Sequence, residues 1–147
     1  MRSASVDVDD ERVAAIGPGL VVLLGVGAND APEDGERLAA RVAGLRIFED
    51  DQGKMSRSIG DRGGEIMVVP QFTLYGDVRH GRRPDFTRAA KPDKGQRLYD
   101  AFCGALRGAD LRVATGRFGA MMRVNIEGDG PVTIVASTDG WDEAGVR

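Results

Sequence analysis

The chain is short of the side chains that usually carry catalysis. Its 147 residues include one histidine, His80, and one cysteine, Cys103. No motif joins these two to each other or to a metal-ligand cluster. No pair of carboxylates stands at an evident working spacing. The glycines of "GVGAND" lack the dinucleotide fingerprint, and no P-loop is present. A nucleophilic triad, a zinc hydrolase and a nucleotide-cofactor enzyme are therefore all poorly supported. If the protein is an enzyme, its residues imply that backbone groups and the substrate's own groups do the work.

Two segments break the rules of the strands they sit in. In "VVPQFTLYG", Pro70, Gln71 and Thr73 interrupt an apolar run. Threonine is at home in strands and Pro70 suits an edge or bulge; alternatively the strand bends there to aim its amides and Gln71 at a ligand. In "NIEGDGPVTIVAS", Gly130-Pro131 stands at the mouth of a second strand-like run, where neither residue helps a ladder. A hairpin turn is the simpler reading of those residues alone. A third segment, "DVRHGRRPDFTR", gathers Arg79, His80, Arg82, Arg83 and Arg88. It suits a phosphate grip, although charge alone favours a solvated loop.

The elements that must position these segments follow from patterning. Hydrophobic residues are 41% and charged residues 29%, with 21 glycines and a net charge of -3, an ordinary soluble balance. The length suits one compact domain with a real core. No apolar run is long enough to span a membrane and no leader-like apolar segment opens the chain, so a cytoplasmic protein is expected. With a single cysteine no intrachain disulfide is possible, and Cys103 reads as a buried apolar residue on a helix. Strands are expected over Ser5–Val8, a short run after it, Leu20–Val26, "LRIFEDD", "EIMVVPQFTLY" and two or three at the end. Helices are expected over "APEDGERLAARVAGL", with Leu38, Val42 and Leu45 as its buried stripe, and over "PDKGQRLYDAFCGALRGA", with Leu98, Phe102 and Leu106 on one face. This order implies an α+β domain, its helices covering a mixed or antiparallel sheet. The tail over 138–147, with Trp141, is polar.

Five segments in order, "AAIGPGLVVLLGVG", "LRIFEDDQGKM", "GGEIMVVPQFTLYGDVRHGRRPDFTRAA", "ATGRFGAMMRV" and "GDGPVTIV", closely resemble the D-aminoacyl-tRNA deacylase family over about Ser5 to Ser137. The resemblance implies mixed and antiparallel sheets in a barrel-like arrangement with two helices. It implies an ester hydrolase that frees D-amino acids from tRNA, with glycyl-tRNA a further candidate substrate, working as a homodimer with active sites at the interface and without metal or cofactor. The family's Ser-Gln-x-Thr-Leu strand falls on Pro70–Leu74, making Gln71, Phe72 and Thr73 the expected catalytic stretch. The backbone N–H of Phe72 is the expected oxyanion donor, and the ribose 2′-OH the expected helper. The family's Asn-x-Gly-Pro-x-Thr turn falls on Gly128, Gly130, Pro131 and Thr133. Its Gly-Pro bond is cis and reaches the partner's pocket, where both carbonyls would hold the substrate's α-amino group and leave no room for an L side chain. Phe118, Gly119 and Met121 fall in the expected adenosine pocket, with core packing an equal alternative for Phe118 and Met121. Arg79, Arg82 and Arg83 become expected tRNA contacts.

Three departures bear on specificity. Pro70 replaces the family's serine, as in a related branch that clears L-alanine from tRNA, so relaxed or L-alanyl-tRNA specificity is the alternative. That branch usually has a small residue at the position of Phe72. Gly128 replaces an asparagine that would brace the turn. The family's first strand has no counterpart before "MRSASV": either the start is placed too late or the strand is absent, and its absence would leave a neighbouring strand as an open edge and makes a catalytically weak tRNA-end binding protein the reading from another class. A plain structural dimer, with no salt-sensitive tRNA binding, is a fourth.

Overall fold

The computed structural model describes residues 1–138; the rest of the expected polar tail, including Trp141, lies outside the described residues. The strands are β1 (Ser3–Val8), β2 (Glu11–Ile16), β3 (Gly19–Leu24), β4 (Phe48–Glu49), β5 (Met55–Arg57), β6 (Glu65–Pro70), β7 (Arg112–Thr115) and β8 (Arg123–Glu127). The helices are α1 (Pro32–Gly44), α2 (Ile59–Arg62) and α3 (Pro92–Gly108), with a 3-10 turn over Phe72–Tyr75. β2, β1 and β8 form an antiparallel sheet, β3, β6 and β7 a parallel one, and β4 and β5 a small antiparallel ribbon. The fold is mixed α/β, and no closed barrel forms among the described residues. Open edges fall on β2 and β8 in one sheet and on β3 and β7 in the other.

The layers explain the apolar run in β6. Ile66 and Val68 face α1 and α3, packing with Val42, Tyr99, Phe102, Cys103 and Leu106. Met67 and Val69 face the antiparallel sheet, packing with Val6, Val8 and Ile16. The strand is thus covered on both sides, as parallel sheets usually are. The stripe expected on α3 is present: Leu98, Phe102 and Leu106 are all buried. Cys103 is buried on the same helix, and burial pushes its thiol above the ordinary range. Tyr99 donates from its hydroxyl to the carbonyl of Val68 at 2.7 Å, and burial raises its pKa.

Four expectations are corrected. "EIMVVPQFTLY" is not one strand: β6 ends at Pro70 and the chain coils into the 3-10 turn. Leu20–Val26 shortens to an end at Leu24, because Gly25 and Gly27 carry the chain away from the sheet. Among the described residues there are three helices rather than two. The additional α2 is capped by Ser58, whose hydroxyl accepts from Asp61 N–H while Asp61 accepts from Ser58 N–H, and it closes on Gly63 at φ +64°. That Ser-x-x-Asp spacing and the glycine after it were the readable signals. Finally, "VTIVAS" joins no strand, and Val132, Ile134 and Val135 stay exposed. Its pattern suits a strand, but among the described residues no β-ladder includes it.

Phe102 sits 1% exposed at the centre of the helix-side core. Phe102→Ala is expected to destabilise the fold by about 3–5 kcal/mol, read as a shift of the urea midpoint with unchanged slope.

Candidate active site

The three parallel strands stop along one edge, at Leu24, Pro70 and Thr115. In open α/β sheets, ligands bind outside such carboxyl ends. Gln71, Phe72 and Thr73 leave this edge directly from β6, and the segment 116–122 leaves it from β7. Pro70 is placed without loss. Pairing of β6 with β7 ends at Val68↔Thr115, so its missing N–H removes no rung on that side.

Gln71 marks the change of direction. Its N–H donates to the Leu24 carbonyl at 2.8 Å, and its backbone stands at φ -143°, ψ 79°. Its carbonyl accepts from Leu74 N–H at 3.3 Å, and that of Thr73 from Gly76 N–H at 3.0 Å. The Gln71 side-chain amide donates to Thr73 Oγ1. The N–H groups of Phe72 and Thr73 find no acceptor among the described residues, as expected of the first donors of a helical turn. Both residues are exposed. Preorganised donors of this kind stabilise an oxyanion.

Two glycines seat the turn. A Cβ on Gly25 would lie 3.2 Å from the Gln71 carbonyl oxygen and from Leu74 Cβ, and one on Gly27 would lie 2.7 Å from the Tyr75 hydroxyl. "GVG" is therefore a platform for close backbone approach, the role its sequence left unassigned. A second residue passed over by sequence reading is Phe86. Its ring meets that of Phe72 edge-on, with centroids 5.1 Å apart. It lies within "GRRPDFTR", where charge is the dominant signal.

Phe118, Gly119 and Met121 follow β7 at the same edge. The Phe118 ring packs against Tyr99 and the helix-side core, so its side chain serves packing. Gly119 stands at φ +74° in an open turn, and Met121 is 90% exposed.

Gly130 and Pro131 are elsewhere. β8 starts beside the carboxyl edge, where Met122 lies against Gly116. It runs to Glu127, whose carbonyl accepts from Arg2 N–H. Met1 in turn exchanges hydrogen bonds with Gly19, the first residue of β3. Asp129 pairs with Arg2 at 3.5 Å. The Gly130-Pro131 bond, which is cis, thus leaves from the amino end of the parallel sheet, opposite Gln71, Phe72 and Thr73. One chain does not bring the two sets together.

The basic segment is a loop closed at its base. Asp77 and Asp85 exchange two backbone hydrogen bonds, of 2.8 and 2.9 Å. Arg79 turns back on Asp77, its Nε 2.9 Å from Oδ1, and these contacts hold the Asp77 carboxyl down at about 2. Arg82 and Arg83 are exposed at the tip around Gly81. Among the described residues no cluster of three or more His, Cys, Asp or Glu side chains suits a metal ion.

Residues 1–137 match the family described as D-Tyr-tRNA(Tyr) deacylase. The chain belongs to this family. A relative named D-aminoacyl-tRNA deacylase from Heliobacterium modesticaldum is 56% identical over 137 residues, covering 93% of this chain and 91% of that protein. One of the same name from Thermotoga petrophila is 55% identical over 132 residues, covering 90% and 89%. Among solved structures, one titled c-Myc DNA Unwinding Element Binding Protein superposes with a TM-score of 0.85 at 41% identity, covering 90% of this chain and 91% of that one. Another, titled as a probable eukaryotic D-amino acid tRNA deacylase, gives a TM-score of 0.70 at 23% identity and speaks for the fold alone.

Proposed function

We propose that this chain hydrolyses the ester joining a D-amino acid to the terminal ribose of tRNA, a proofreading step of translation carried out in the cytoplasm. Family membership over residues 1–137 carries this reading. The site supports it, because the acceptor-free N–H of Phe72 supplies what developing charge on the ester carbonyl oxygen requires. Gln71 fixes Thr73 beside it. Water adds to the carbonyl carbon, the ester C–O bond breaks, and the ribose oxygen leaves with a proton. The neighbouring 2′-OH assists, so the chain needs no base of its own, and RNA is required.

The active unit is a homodimer. Gly130-Pro131 and the Gln71–Thr73 stretch stand at opposite ends of one chain, so a second copy brings its Gly-Pro to this copy's carboxyl edge. There the Gly130 and Pro131 carbonyls accept from the substrate's α-amino group, and backbone blocks an L side chain. The exposed Val132, Ile134 and Val135 are covered in that contact. Gly119 and Met121 border the adenosine, with the Phe118 ring anchored beneath. Arg82 and Arg83 take tRNA phosphates, and Arg79, held by Asp77, mainly shapes their loop.

Four measurements test this reading. D-tyrosyl-tRNA is expected to be hydrolysed while L-tyrosyl-tRNA and L-alanyl-tRNA persist; cleavage of the L-alanyl ester would instead assign the chain to the Pro-Gln branch. Phe72→Pro removes the N–H at a first helical position that tolerates proline, whereas Phe72→Ala keeps it. The proline variant is expected to lose about 10²–10³ more in kcat. Gly130 stands at φ +115°, where a branched side chain is out of place, so Gly130→Val is expected to be inactive too. Co-expressed with Phe72→Pro, it should recover activity that neither variant has alone, since one site of each mixed dimer is intact. Arg82→Ala with Arg83→Ala is expected to weaken tRNA binding and to flatten its dependence on log salt by about 1.5; an unchanged slope removes these residues from the interface.

A further inference from the structure

We propose that Phe86 is a positioning residue for the catalytic turn: it holds Phe72 from a strap, residues 85–90, that is tied down on both sides. This rests on the reading of Phe72 as the oxyanion donor. The strap begins at Asp85, whose N–H and carbonyl are both bonded to Asp77. Asp85 Oδ1 also accepts from Thr87 N–H at 2.9 Å. The Phe86 carbonyl accepts from Ala89 N–H at 3.0 Å. The far end is pinned to the exit of β3, where Ala28 N–H donates to Arg88 O and Ala90 N–H to Val26 O, each at 2.9 Å.

Between these anchors the Phe86 ring crosses the 3-10 turn. It meets the Phe72 ring at 5.1 Å and 68°, the edge-to-face geometry aromatic pairs prefer. Gly76 makes this approach possible: a Cβ there would stand 3.1 Å from Phe86 Cε1 and 3.0 Å from the Thr73 carbonyl oxygen. Phe72 is itself 58% exposed and has no deep pocket to hold it. Gln71 anchors the turn on one side of Phe72 and Gly76 N–H on the other. The Phe86 edge is the ring contact made by the Phe72 side chain among the described residues. Without it the ring and the N–H on the same residue lose a fixed direction, and small misplacements of reacting groups cost about 100-fold in rate.

The test is single-turnover and steady-state hydrolysis of D-tyrosyl-tRNA by full-length Phe86→Ala, Phe86→Leu and Phe86→Tyr. The expected result is a kcat lowered about 10- to 100-fold in Phe86→Ala, with KM for the charged tRNA unchanged and near wild-type kcat in Phe86→Tyr, which keeps the ring. Phe86 is 36% exposed on a surface strap, so its thermal midpoint should stay close to wild type. If Phe86→Ala unfolds, Phe86→Leu keeps apolar volume without a ring and carries the same comparison. An unchanged kcat, or a raised KM at constant kcat, overturns the proposal. Should Phe72→Pro cost no more than Phe72→Ala, the donor reading itself fails, whatever Phe86 does.

Discussion

The structure hangs on β6 being buried on both faces. Ile66, Met67, Val68 and Val69 are each no more than 1% exposed, alternately facing the helices and the antiparallel sheet. Four consecutive buried side chains fix register against β3 and β7, because a slip of one residue would exchange the two cores. With the register fixed, the place where β6 ends is fixed too. That place is Pro70, paired with Leu24 and beyond the last β7 rung. Tyr99 adds a buried hydrogen bond to Val68 O, which also accepts from Gly116 N–H at 2.9 Å. The exits of β6 and β7 are thus tied together just beneath the candidate site.

Much of this was legible. The apolar run of β6, the stripe on α3 and the buried Cys103 follow from pattern and composition, since they depend on which side chains avoid water. The end of β6 was harder to see. After Pro70 and Gln71, "FTLY" returns to mostly strand-forming residues, and a single chain of letters does not say that β3 stops opposite Pro70. Gly25 and Gly27 decide the matter by letting Gln71, Leu74 and Tyr75 fold onto the strand exit, a contact between segments over 40 residues apart. Phe86 was invisible for a related reason. Its aromatic partner, Phe72, lies across the base of a loop closed by Asp77 and Asp85, and loop closure is not written in local propensity.

The segment "VTIVAS" teaches the opposite lesson. Its alternation is genuine strand patterning, yet among the described residues it joins no sheet. A pattern of that kind records the surroundings in which a segment is buried, and those need not be supplied by its own chain. Val132, Ile134 and Val135 exposed together beside Gly130-Pro131 form an apolar segment that a lone chain in water would not favour. The dimer reading removes the discrepancy between the pattern and the structure.

The proposed site, split between two chains, would also explain how so plain a set of residues can select. No charged side chain among the described residues is needed at Gln71, Phe72 and Thr73; the proposed donor is a backbone N–H, and the proposed acceptors, Gly130 and Pro131, are backbone carbonyls. Backbone groups cannot be retuned by titration, and they reject by shape more firmly than a mobile side chain does. Such a device works only if each half is rigid before the halves meet. On one side rigidity comes from Gln71 bonded to Leu24, from the glycine platform and from the strap across Phe72. On the other it comes from β8 paired to β1 and from Asp129 held by Arg2. On that proposal, chiral selection by contact reduces to the placement of two short backbone segments, and the rest of the fold can be understood as the frame that keeps each from moving.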